Sequence, residues 1–246
     1  MLTLAKNELY RLFLSPLAWI ILALTQLILA YLFLTHIDYF VQIQAKIATI
    51  PGAPGLTELV AIPLLNNAAT ILLLITPLIT MRLIAEERRN ESFPLLLSAP
   101  LSMSQIVLGK FIGTFCFLLL LVILVSLMPL SLTVGSNLDF GLLLSGMLGL
   151  TLLLSSFTAI GLFLSSLTKQ PAIASMTTFA SLFLLWIIDW AGNSESSGLF
   201  SWLSLLRHYQ PLLQGEVNSS DISYYLIVTT LFLIVTIHHL DSERLK

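Results

Sequence analysis

The sequence predicts an all-α integral membrane protein with six transmembrane helices and both termini on the cytoplasmic side. Three observations predict it. The first is composition: of 246 residues, 57% are hydrophobic and only 10% are charged, where a soluble domain carries about 25% charged residues. So few charges cannot cover a water-facing surface. The second is a series of six apolar runs, near 17–35, 61–81, 106–134, 142–167, 172–190 and 223–239, each long enough to cross a hydrocarbon core about 30 Å thick. The third is the distribution of basic residues. With the N-terminus inside, nine of them (Lys6, Arg11, Arg82, Arg88, Arg89, Lys110, Lys169, Arg244 and Lys246) lie on the cytoplasmic side, and only Lys46 and Arg207 lie outside. Losing or adding one span would scramble that alternation.

Taken in order, the chain begins with Leu2, Leu4, Leu9, Leu12 and Phe13 set among Lys6, Asn7, Glu8 and Arg11, the pattern of an amphipathic helix in the membrane interface. Glu8, Tyr10 and Arg11 interrupt any early apolar core, so the first hydrophobic run is expected to be a retained span. Ser15-Pro16 turns the chain into it. Between the first two spans, 36–58 mixes Ile37, Phe40, Val41, Ile43 and Ile47 with polar residues and ends in "PGAPG". This reads as a short interfacial helix and a turn. The third and fourth runs exceed the roughly 20 residues a span requires, and Pro129 is expected to kink the third. Residues 191–222 mix apolar and polar residues too evenly for a plain linker, and a short helix resting on or dipping into the outer leaflet is expected there. With no internal repeat or low-complexity tract, residues 1–246 form one domain.

Polar and small residues within the spans are few enough to enumerate. Asn66 and Asn67 are the polar pair of the second span; inter-helix hydrogen bonding is their default role, and a substrate path is the alternative. Gly109-x-x-x-Gly113, Ser145-x-x-x-Gly149 and Gly161-x-x-x-Ser165 are small-x-x-x-small patterns that let helices approach closely, within or between subunits.

One stretch departs from all of this. Between positions 82 and 91 stand Arg82, Glu86, Glu87, Arg88, Arg89 and Glu91, six of the 24 formal charges in the chain. Each Arg at a bilayer centre costs about 2.5–3.5 kcal/mol, so the block would cost on the order of 15 kcal/mol inside the membrane. It belongs in the cytosol. No breaker stands between Ile79 and Asn90, so the second span is expected to continue into it. Pro94 and Pro100 then bracket a short apolar helix, 93–99, and Ser102 to Gln105 has the form of a capping box that starts the third span. Phe93, Leu95, Leu96 and Leu97 on so short a helix need lipid or a protein groove. An ordinary positive-inside loop with a membrane-resting turn is the competing reading.

Several chemistries are excluded or unsupported. A net charge of −2 without a basic patch gives no reason to expect nucleic acid. The single Cys116 cannot form an intramolecular disulfide. "EERR" lacks the arginine that would complete the glutamate pattern of intramembrane proteases. His238-His239 beside Asp241 would need further ligands to hold a metal. Gly109-Lys110 has Ser104 where a phosphate loop needs glycine. Ionisable residues are missing from the span centres, which argues against proton- or ion-coupled transport.

The stretch "MRLIAEERR…LLLSAPLSMSQIVLGKF" resembles the segment between spans two and three of ABC-2-type transporter permeases, and is closest to the branch associated with gliding motility and to copper-enzyme-maturation permeases. "KNELYRLFLSPLAWI", "GLFLSSLTKQPAIA", "HYQPLLQGEVNSSDISYYL" and "LDSERLK" are similar to the family's N-terminal helix, span-four exit, last external segment and C-terminus. The resemblance implies a coupling helix after span two that sits in a groove on a separate ATP-binding cassette subunit. Glu86, Glu87, Arg88 and Arg89 would flank that contact, Phe93 to Leu97 would supply its apolar knob, and Lys6, Glu8 and Arg11 of the N-terminal helix would make a second contact. It further implies a non-catalytic permease that binds no cofactor itself, with ATP and Mg on two cassette subunits and a second permease, identical or divergent. The setting implied is the bacterial inner membrane, with lipid and a possible periplasmic accessory protein as further partners. Export of a lipid-like, peptide or polymeric substrate is the expected activity; a membrane anchor that transmits mechanical work in an envelope complex is the alternative. Two departures stand out. Where the family has a Gly-Thr-x-Glu run after the basic pair, this chain has Glu91, Ser92, Phe93 and Pro94. Its usual Asn-Gln is Gln170-Pro171 here.

Overall fold

The computed structural model describes residues 1–47, 54–91, 102–134, 138–191 and 202–244, and no strand occurs among them. The helices are α1 (Leu2–Leu14), α2 (Pro16–Ile47), α3 (Ile62–Thr80), α4 (Ala85–Arg89), α5 (Met103–Ser131), α6 (Phe140–Ser166), α7 (Pro171–Ala191), α8 (Leu205–Leu213) and α9 (Ser219–Arg244). A π-helical turn, Thr57–Ala61, leads into α3, and a 3₁₀ turn, Leu132–Val134, follows α5. Six helical tracts are long and apolar enough to cross a membrane: Pro16–Lys46, Thr57–Arg89, Met103–Ser131, Phe140–Ser166, Pro171–Ile188 and Ser219–Arg244. The six runs of the sequence correspond to them one for one.

Local chemistry sets the helix starts. Ser102 Oγ accepts from the backbone N–H of Gln105 at 3.3 Å, while the Gln105 side chain accepts from Ser102 N at 3.4 Å. That is the reciprocal capping box its spacing predicts. Asp139 Oδ1 accepts from Gly141 N and Leu142 N at 2.9 and 3.2 Å to cap α6. Pro16 and Pro171 occupy first helical positions, where the missing N–H costs nothing.

Helix α6 is the central post. Leu150, Leu153, Leu154, Phe157 and Leu162 are fully buried, and α3, α5, α7, α8 and α9 all pack on it. Helices α2 and α7 stand at the rim, with Leu24, Leu27, Tyr31 and Leu34 on one and Met176, Phe183 and Leu184 on the other exposed. Apolar side chains facing outward are what hydrocarbon, not water, accommodates.

Three expectations change. The separate interfacial helix after the first span is instead the last third of α2, unbroken to Ile47. No Pro or Gly intervenes between Ile37 and Ile47, so the helix continues past the roughly 30 Å core to a length of about 48 Å. Pro129 does not fall mid-span; it lies in the last turn of α5, just before the 3₁₀ turn. The second span does not run smoothly into the charged block. It stops at Thr80, turns over Met81–Ile84 and resumes as α4. Pro77 removes a donor near that point. Thr76 and Thr80 bond back to Leu72 O and Thr76 O at 2.7 and 2.9 Å, a habit that bends helices.

Candidate functional site

The charged block lies at one end of the bundle, on a small apolar floor made by Leu83, Ile84, Met103, Ile106, Val107, Ala159, Leu162, Leu233 and Leu240. Ser165 of α6 fixes the start of α4. Its hydroxyl accepts from Ile84 N at 3.2 Å and Ala85 N at 3.1 Å and donates to Met81 O at 3.2 Å. The α3–α4 break is therefore a satisfied structure: the backbone groups freed by the turn find a side chain on a neighbouring helix.

The block divides into inward and outward residues. Glu87 is 7% exposed and Lys110 of α5 is 5% exposed; they meet at 2.6 Å. Lys110 also reaches Glu8 of α1 at 3.5 Å. Arg11 of α1 meets Glu87 at 3.2 Å and Glu8 at 3.7 Å. Glu87, Glu8 and Lys110 thus share one nearly dry site, with the half-exposed Arg11 closing it from the solvent side and bringing its charge to zero. Arg88 forms a fork with Glu243 near the end of α9, one arm at 3.1 Å, and His239 stands 3.6 Å from the same carboxylate. Arg82 donates to Ser15 at 3.3 Å. Helix α4 is accordingly tied to α1, α5, α6 and α9. Glu86 and Arg89 face outward, lining adjoining clefts of about 430 and 600 Å³ against Pro171 and Ala172, the larger one also bordered by Lys169. Lys6 is exposed on α1. Phe93, Leu95, Leu96 and Leu97 lie outside the described residues.

The small-residue patterns each receive a different neighbour. A Cβ on Gly109 would stand 2.8 Å from Leu4 Cβ, and one on Gly113 would stand 2.8 Å from both Ala5 O and Glu8 Cβ, so α1 lies directly on α5. A Cβ on Gly149 would stand 2.9 Å from Leu212 Cβ, and Ser145 donates to Leu212 O at 2.7 Å; this pattern seats α8. A Cβ on Gly161 would overlap Thr80, and with Ser165 that pattern holds the end of α3 and the break after it.

At the opposite end, α8 is a wedge with Leu205, Tyr209, Leu212 and Leu213 turned into the core. Tyr209 donates to Leu65 O at 3.1 Å, and burial pushes its phenol far above the ordinary range, so the proton stays on. His208 beside it bonds Asp221 at 2.6 Å and Trp202 O at 3.2 Å and stacks on Tyr224, which joins α8 to the start of α9. Asn67 pairs with His36 of α2 at 3.1 Å, and Asn66 Oδ1 is buried without a partner among the described residues.

In the sequence Lys110 stands out only as a basic residue beside Gly109 that fails as a phosphate loop, and nothing marks Glu243, His36 or the His208–Asp221 pair. Lys110 carried a signal: a lysine beside the first of two glycines four apart has a neighbouring backbone held close to it. Glu243 and His36 carried none, because their partners are 155 and 31 residues away.

No curated protein matches the chain. The family model described as ABC-2 family transporter protein matches residues 2–240, from the first turn of α1 to the last turns of α9. A family model spanning nearly the whole chain, together with six spans and an N-terminal helix docked on the third, places this protein in the ABC-2 transporter family as a membrane permease component of an ABC transporter.

Proposed function

We propose that the chain is the permease of an exporter from the bacterial inner membrane, with both termini cytoplasmic. In this reading it works as a pair of permeases, identical or divergent, on two cassette ATPase subunits that bind the ATP and Mg. On the family alone, a lipid-like, peptide or polymeric substrate is the class we assign. Helix α4 and the segment after it form the coupling element: Glu86 and Arg89 make a charged rim for a groove on the cassette, and Phe93 to Leu97 fill it. Glu87 and Arg88 serve the same element from inside, and Lys6, Glu8 and Arg11 bring α1 to the same surface.

One observation carries this reading. Helix α4 is separated from α3 by a capped break, yet ion-paired to α1, α5 and α9. A push on α4 is delivered to those helices instead of being absorbed along the second span. The test is co-expression with a cassette ATPase and co-purification in detergent. The unaltered chain is expected to retain the ATPase, and Glu86→Lys with Arg89→Glu to lose most of it. Equal retention by both forms would contradict the docking surface.

A further inference from the structure

We infer that Lys110 is a positioning residue: it makes α1, α4 and the first turns of α5 one rigid unit, and it is the route by which displacement of α4 enters the third span. The inference deepens the coupling reading and rests on it for the source of the push.

Covalently, α4 precedes α5 through 92–101 and follows α3 through the Met81–Ile84 turn. Among the described residues, it is Lys110 that ties α4 to the first turns of α5. Its ammonium lies between Glu87 of α4 at 2.6 Å and Glu8 of α1 at 3.5 Å, on a side chain with 6% of its surface exposed. The glycines on either side of it, Gly109 and Gly113, bring the α1 backbone so near that a Cβ on either would stand 2.8 Å from α1 atoms. An ammonium so enclosed has carboxylates where it would otherwise have water, so drawing α1 or α4 away from α5 strips it of the partners that make its burial tolerable. Arg11 closes the ring from the exposed side but, being half solvated, holds less tightly. Arg88 with Glu243 then links the same unit to the end of α9, so a displacement of α4 is passed to the third and sixth spans.

The experiment uses the full chain in lipid nanodiscs, with Cys116→Ser and pairs of spin labels at exposed positions. Labels at Tyr10→Cys and Leu127→Cys report α1 against α5 and need no ATPase. A single narrow distance distribution is expected in the parent and in Lys110→Arg. A broad one is expected in Lys110→Met and in Glu87→Gln, with the double variant no broader than either. An unchanged distribution in Lys110→Met, or additive broadening in the double variant, overturns the assignment. Labels at Leu127→Cys and Leu184→Cys report α5 against α7 in the complex with the cassette ATPase. ATP with vanadate is expected to shift that distance in the parent and in Lys110→Arg, and to leave it unmoved in Lys110→Met. A full shift in Lys110→Met overturns the route. If the parent itself retains no cassette ATPase, the coupling reading falls and the route with it. The first pair of labels still decides whether Lys110 holds α1.

Discussion

At the scale of single residues, charge burial dominates. Lys110 and Glu87 are tolerated in the interior as a pair, and removing either takes from the other its partner at 2.6 Å. Either Lys110→Met or Glu87→Gln is expected to cost about 3 kcal/mol, and the double variant less than the sum by about 1–2 kcal/mol. Thermal unfolding of the purified chain in one detergent reads both; strict additivity would mean the pair does not interact. Glu91 offers the opposite sign. Its φ of 54° lies in the left-handed region where L side chains crowd the carbonyl, and it occupies the position just past α4 at which helices commonly end in glycine. Glu91→Gly is expected to stabilise α4 by about 1 kcal/mol, visible as slower amide exchange from Arg88 to Glu91. The chain thus tolerates strain just past α4 that a glycine would relieve.

Among elements, the recurrent device is a small residue that lets one helix lie on another. Gly113 is the sharpest case, since the nearest obstacle to a side chain there includes the backbone of α1, which cannot swing aside. Gly113→Leu is expected to lift α1 from α5, expose Lys6 and Arg11 to trypsin several times faster, and cost about 1–3 kcal/mol. If the N-terminal cleavage rate does not change, α1 is held by lipid and not by α5. The wedge α8 obeys the same rule at the other end. The mixed apolar and polar residues of 191–222 suggested a short helix resting on or dipping into the outer leaflet, and Gly149 and Ser145 seat it in the bundle, where Tyr209 reaches the carbonyl of Leu65. Helix-to-helix hydrogen bonds of this kind are worth about 1 kcal/mol each. Packing of Leu205, Leu212 and Leu213 therefore does most of the seating.

For the molecule as a whole, the question is how a force at one end reaches the other. Helix α6 contacts nearly every span and joins the α4 end, through Ser165 and Gly161, to the α8 end, through Ser145 and Gly149. A displacement of the α4 unit must therefore either carry α6 with it or slide across it at the Ser165 cap. Orientation can be checked directly. In a Cys116→Ser background, Lys169→Cys is expected to react with a membrane-impermeant maleimide only from the cytoplasmic side, and Ser219→Cys only from the outside. Reaction of both from one side would overturn the six-span topology.

The sequence by itself determined the membrane class, the number of spans and the two helix starts at Ser102 and Pro16. These depend on composition, run length and contacts between residues a few positions apart. It also identified 82–91 as the unusual region, because six charges in ten residues cannot enter hydrocarbon. Which of those charges turn inward was decided only by the tertiary structure. Glu87 and Arg88 are neighbours in the chain, yet one is claimed by Lys110 and the other by Glu243, 155 residues further on. The break after Thr80 was invisible for the same reason: its threonines and Pro77 permit a bend, but Ser165 on another helix supplies the hydrogen bonds that make the bend the stable choice. Local preference is legible along a chain. A buried charge or a freed backbone group is settled by whatever the fold brings within about 3 Å of it.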